Sequence, residues 1–317
     1  MKILLTAALA LGLLAVPAQA SPAHDAVRYA SVKGCGDDDA YHPCGFWRLT
    51  THDGRTRLLK DAAVVAREAD GKSSVYQAAP LAVSGDGLKI AYLTRQGRLA
   101  VRTVGGGVRL LPGDALPRIA QYSITLHLSG DGSRLAAVFG DEKPRATRLF
   151  DTATGRRLGT VPGAETFVDF SGDGDEVLTS YDGDEGTYDL RVYTDTGQRL
   201  ADVSPPQLVA ANSPEALAAD GRTTASLVTG DRPELVLYDT RTDVVTSRVP
   251  VKLPAGHDLH ALDWTGVNEV TVHLVRARDD RPSIMSVHRL DVLTGKLKLR
   301  DRYRLRTDSY TFAACGG

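Results

Sequence analysis

Short apolar runs recur along this chain, each alternating with polar positions and each bounded by Gly, Asp and Thr. That period is the signature of half-buried β-strands joined by tight turns, not of helices. Three of the runs end in one tetrapeptide and are followed at once by a second apolar run. The copies are Ser84-Gly85-Asp86-Gly87, Ser129-Gly130-Asp131-Gly132 and Ser171-Gly172-Asp173-Gly174, with a worn copy at Ala218-Ala219-Asp220-Gly221. Their aspartates are 45, 42 and 47 residues apart. A repeat of that length, built of short strands, predicts one four-stranded propeller blade per repeat.

The copy around Ser171 shows the pattern of a blade. Strand A is expected at Thr166 to Phe170, strand B at Glu176 to Tyr181, strand C at Tyr188 to Tyr193 and strand D at Arg199 to Val203. The C-to-D turn gives an independent count. It recurs at residues 52–54, 105–107, 151–155, 194–197, 239–243 and 291–295, so six blades are favoured. Seven blades of about 42 residues each would also fit the length. Blade one lacks a strand A at the N-terminus, while Thr311 to Gly317 lines up with Thr166 to Gly172. The C-terminal strand is therefore expected to enter blade one and close the ring, which leaves no long unpaired edge.

The segment Leu81 to Tyr92 resembles the WD40-like repeat of TolB-type six-bladed propellers: an apolar strand, a four-residue turn, then Ile-Ala-Tyr. Gly85, Gly130 and Gly172 stand where that family usually has proline. The resemblance covers nearly the whole mature chain and implies an all-β, six-bladed propeller. The family includes partner-binding periplasmic proteins, and similar propellers flank or form hydrolases, so fold alone does not assign a function.

The ends of the chain add a compartment. Lys2, the apolar run Ile3 to Val16 and the small-residue site Ala18-Gln19-Ala20 read as a secretory signal peptide over residues 1–20. The expected mature domain is residues 21–317, a single propeller with no further membrane span, secreted or otherwise extracytoplasmic and monomeric. A net charge of −1 argues against a general nucleic-acid binder. Export permits disulfides. Cys35 ends strand B and Cys44 begins strand C of blade one, whereas Cys315 ends strand A at the opposite end, about 20 Å away. A Cys35–Cys44 bridge with a buried free Cys315 follows, Cys315 taking the place of Phe170 in the strand alignment.

Candidate chemistry is sparse. Asp86, Asp131, Asp173 and Asp220 recur once per blade, which points to acceptors for turn N–H groups and not to ligands or catalytic acids. The B-to-C loops are acidic: Asp37, Asp38 and Asp39, then Asp141 and Glu142, Asp182, Asp184 and Glu185, and Asp279 and Asp280. Gathered on one rim, they would give a local negative potential able to attract a cationic partner or a divalent cation. His257, His260, Asp263 and Trp264 fall where loop gives way to strand on entering blade six, and His127 falls on a strand A able to face the channel. Two histidines three apart can share a metal on a helix, but loop and then strand are expected here, so no metal site and no cofactor are implied. There is no Gly-x-Ser-x-Gly elbow, His-Glu-x-x-His helix or P-loop. The segment Ala62 to Gln77 is a longer connection, expected to hold a short helix or an extra outer strand.

The function expected from these features is a secreted binding or scaffold module that holds an unidentified protein or cell-envelope ligand on its loop-rich rim. The alternative is a channel-site, metal-dependent enzyme, a lactonase or glycan-processing activity. A ligand sensor of the cell envelope is a third reading.

Overall fold

A computed structural model describes residues 25–37, 40–140, 142–183, 186–278 and 281–316. Residues 1–20, expected from the sequence to be a signal peptide, fall outside the described residues. Among the described residues, six four-stranded antiparallel sheets follow one another along the chain as the blades of a propeller. Blade four has strands Thr166–Phe170, Glu176–Asp182, Tyr188–Thr194 and Arg199–Val203, in that spatial order. Blades two, three, five and six begin with innermost strands Leu81–Val83, Ile124–Leu128, Glu215–Leu217 and Asp258–Gly266. In blade one the innermost strand is the C-terminal one, Ser309–Ala314, paired with Val27–Cys35. The ring is thus six-bladed and closed by the C-terminus.

The recurring turn works through its side chains. Ser129 Oγ donates to Asp131 at 2.8 Å, Asp131 accepts the Ser133 N–H at 2.8 Å, and Ser129 Oγ accepts the Arg134 N–H at 3.0 Å. The Ser84–Asp86 and Ser171–Asp173 turns repeat the arrangement. In the worn copy Asp220 accepts the N–H groups of Arg222 and Thr223 directly. The last glycine of each turn has positive φ, 67° at Gly132 and 83° at Gly174, a conformation that a side chain would strain.

Neighbouring blades meet through apolar layers. Between blades one and two lie Ala30, Val32, Trp47, Ile90 and Tyr92; between five and six lie Leu227, Leu235, Val270 and Leu290. Each buried Val, Leu or Ile among them contributes about 1.5–3 kcal/mol by leaving water. Blades six and one, the ends of the chain's path, share Tyr29, Met285 and Tyr303, with the two tyrosine rings stacked 5.3 Å apart. A cation adds to this seam: Arg28 holds Asp301 of blade six at 2.7 Å.

Cys35 and Cys44 form the disulfide, with Cα atoms 6.0 Å apart, and Cys315 is free and buried. The register of Cys315 corrects the sequence alignment by one residue. Its N–H donates to Arg28 O as the Ser171 N–H donates to Glu176 O, so Cys315 takes the place of the turn serine, not of Phe170. The slip was invisible in sequence because the last blade copy ends in Ala-Ala-Cys-Gly and lacks the Ser and Asp that mark the others. The long connection after blade one resolves as strand, not helix: Val65–Arg67 pairs with Ser73–Ala78.

Deleting Tyr310 to Gly317 removes the innermost strand of blade one and exposes the edge of Val27–Cys35 along with the Tyr29–Tyr303 layer. The truncated chain should lose its cooperative thermal transition, as followed by far-UV and near-UV circular dichroism. A sharp transition at the full-length temperature would refute the closure.

Candidate functional site in the central channel

Because every innermost strand borders the ring's axis, the channel is built from six strand A segments and the turns that follow them. A cavity of about 700 Å³ occupies it, within the range of small-molecule sites. Its walls include the turn residues Gly85, Asp86, Gly130 and Asp131, so it reaches the face that carries the A-to-B turns. That is the opposite end from the acidic B-to-C loops.

Strand register puts six residues at one level of the ring. Ala82 pairs with Ala91, His127 with Ala136, Asp169 with Leu178, Ala216 with Ala225, Asp263 with Thr271 and Ala313 with Ala30, each pair one step in from its blade's turn. Three of the six are alanines. The polar ones, His127, Asp169 and Asp263, all line the cavity. Asp169 stands on blade four and Asp263 on blade six, on either side of blade five, whose residue at this level, Ala216, is buried in the apolar layer between blades five and six.

The environment sets the protonation of each group. Asp169 accepts the N–H of Phe170 at 2.7 Å. Burial, and next the charge of Asp263, push its carboxyl well above the usual range. Asp263 lies 3.1 Å from Nε2 of His273, whose ring is only 2% exposed and whose Nδ1 has no hydrogen-bond partner. Glu215 lies one residue before the alanine of the ring. It is 1% exposed; one carboxyl oxygen accepts from the Tyr188 hydroxyl at 3.0 Å and Oε2 has no partner. Burial pushes its carboxyl up to about 7, against the opposing pull of the Tyr188 hydrogen bond. Burial pulls the His127 imidazole down to about 4, and its ring packs 4.5 Å from that of Phe167. The Cys315 thiol is raised to about 12 by burial and then by the charge of Asp263, so it is not a nucleophile at neutral pH.

Of the residues singled out by sequence, Asp37, Glu142 and Asp182 are exposed on the B-to-C loops and do not line the cavity. Asp38, Asp39, Asp141, Asp184, Glu185, Asp279 and Asp280 lie outside the described residues. Asp86 and Asp131 border the cavity while engaged in their turns; Asp173 and Asp220 do not border it. His260, Asp263 and Trp264 belong to an innermost strand that already begins at Asp258, and with His127 they line the channel. Asp169, Glu215 and His273 escaped the sequence reading. The first two did carry a signal: each is a carboxylate inside an otherwise apolar strand A, in Thr-Phe-Val-Asp-Phe and Glu-Ala-Leu. Among the described residues, no group of three or more His, Cys, Asp or Glu side chains has the arrangement of a metal site.

No family model matches the chain, and no curated protein sequence matches it. Solved propellers resemble it in architecture. TolB from Acinetobacter baumannii aligns at 15% identity and a TM-score of 0.48, over 92% of this chain and 67% of that one. A TolB-like protein from Agrobacterium tumefaciens, described as putative TolB, aligns at 15% identity and 0.45, over 77% and 90%. The β-propeller domain of the Trilobed protease from Pyrococcus furiosus aligns at 12% identity and 0.48, over 86% and 79%. None of these likenesses assigns a ligand or a reaction to this channel.

The raised carboxyl of Glu215 has a consequence for stability. A carboxyl with a higher pKa folded than unfolded binds extra protons in the native state, so its contribution is full below the unfolded value and is lost as pH rises through about 7. Glu215→Gln keeps the size and the acceptor for Tyr188 but cannot ionise. Relative to wild type, the variant should gain stability between pH 5 and pH 8, by about 1–3 kcal/mol, in urea titrations at each pH. A difference that stays flat across that range would show that Glu215 ionises as freely in the fold as in the unfolded chain.

Proposed function

We propose that this protein is an exported binding propeller that takes a small polar ligand into its central channel. One observation carries the reading: Asp169, Glu215 and Asp263, from three successive blades, line one cavity of ligand size. Buried polar groups are ordinarily satisfied within a protein, and perturbed carboxyls gathered in a cleft mark functional sites. The described acidic residues of the B-to-C rim, by contrast, are dispersed over exposed loops away from this cavity, so the channel is preferred to the rim as the binding surface. Export is supported by the apolar N-terminal segment and by the Cys35–Cys44 disulfide, which persists in oxidising compartments.

A second reading rests on Glu215 alone. A carboxyl near 7 is matched to proton transfer at neutral pH, and this favours acid–base chemistry in the channel. Turnover of a captured ligand would separate enzyme from binding module.

The mature protein should enrich a small molecule from native envelope or medium extracts, read by mass spectrometry after denaturation. A channel variant, Asp169→Asn with Asp263→Asn, should lose the enrichment. A rim variant, Asp37→Asn with Glu142→Gln and Asp182→Asn, should retain it. Loss in the rim variant alone would move the site to the rim and overturn the channel reading.

A further inference from the structure

Resting on the channel reading, we infer that the ligand is a small organic cation bearing a protonated amine, received by Asp169, Glu215 and Asp263. The chain supplies its own comparison. Besides Glu215, the carboxylates with less than a tenth of their surface exposed among the described residues are answered by arginine: Glu165 by Arg191 at 2.9 Å and Asp239 by Arg222 at 3.7 Å. Asp301, facing the same channel, is held by Arg28, and Glu269 at its mouth by Arg289 at 2.6 Å. Among the described residues, no Lys or Arg is ion-paired with Asp169, Glu215 or Asp263. The channel therefore holds three carboxyls without a lysine or arginine partner, only the His273 ring lying beside Asp263.

The remaining polar atoms point to the same missing partner. Glu215 is almost fully buried and its Oε2 has no hydrogen-bond donor. Asp169 has a single backbone donor, from its own neighbour. A neutral hydroxyl could satisfy one lone pair but would leave the repulsion between Asp169 and Asp263 in place. An ammonium between Asp169 and Asp263 removes that repulsion and donates to both carboxylates, with Glu215 a further acceptor on the same cavity wall. The rings of Phe170 and Trp264 belong to the same wall, and aromatic faces favour a cation. Arg300 also borders the cavity, on the exposed outer strand of blade six. It shares blade six with Asp263 but stands on the outermost strand of that blade, and it disfavours a ligand of high positive charge. A monocation or a short diamine fits best.

The test uses n-butylamine and 1,4-diaminobutane as probes at pH 7.5, with n-butanol as the neutral analogue of equal length, read by calorimetry and by thermal shift on the mature protein. Both amines should bind and raise the melting temperature while butanol does neither. This comparison is made in wild type alone and needs no variant to fold. Glu215→Gln and Asp263→Asn, each first shown to keep the native near-UV spectrum, should each weaken amine binding at least tenfold, whereas the rim variant should not. Equal binding of butanol and butylamine would overturn the cation inference. So would capture of a neutral compound by the wild-type channel, though the channel reading itself would then stand. Failure of every probe together with failure of capture from extracts would overturn both.

Discussion

The backbone pairing of Ser309–Ala314 with Val27–Cys35 is the constraint on which the rest of the structure depends. A propeller is a line of sheets until its last strand is inserted beside its first. Until then the channel is an open cleft, and the apolar faces of blades six and one stand in water. The pairing brings residues nearly three hundred positions apart into one sheet, and the seam is reinforced by Tyr29 against Tyr303 and by Arg28 on Asp301. Contacts of such sequence separation carry a large loop-closure cost. They are favourable only because six apolar interfaces form together.

Closure also creates the chemistry. Strand A of each blade would be an ordinary edge in isolation, and a carboxylate there would be solvated. In the ring, six such edges face one axis and exclude most of the water. Asp169 then feels the charge of Asp263, and Glu215 is left with one donor for its two oxygens. The same burial makes His127 a poor base and Cys315 a poor nucleophile. The acid groups of the channel, set in these surroundings, shape both readings of its function.

The rim and the channel mouth lie at opposite ends of the blades, and this follows from strand order. A-to-B and C-to-D turns share one face; B-to-C and D-to-A connections share the other. The sequence draws the eye to the acidic B-to-C loops because their Asp and Glu residues come in runs. The channel acids come singly, one per strand, separated by a blade of intervening sequence.

Local pattern alone determined the blade strands, the turns, the closing strand and the Cys35–Cys44 bridge, and favoured six blades over seven, because each depends on residues close in sequence or on a repeat that copies itself. Period-two alternation specifies a strand, Ser-x-Asp-Gly specifies its turn, and strand order decides which cysteines share an end. Tertiary structure alone decided which polar residues matter. Asp169, Glu215, Asp263 and His273 come from three blades and have no motif among them; their meeting depends on ring geometry and on the register at which each innermost strand pairs. It also decided the one-residue slip of Cys315, since that blade lacks the side chains that mark the turn elsewhere. A pKa or an unanswered carboxylate is a property of surroundings, and surroundings exist only once the ring is closed.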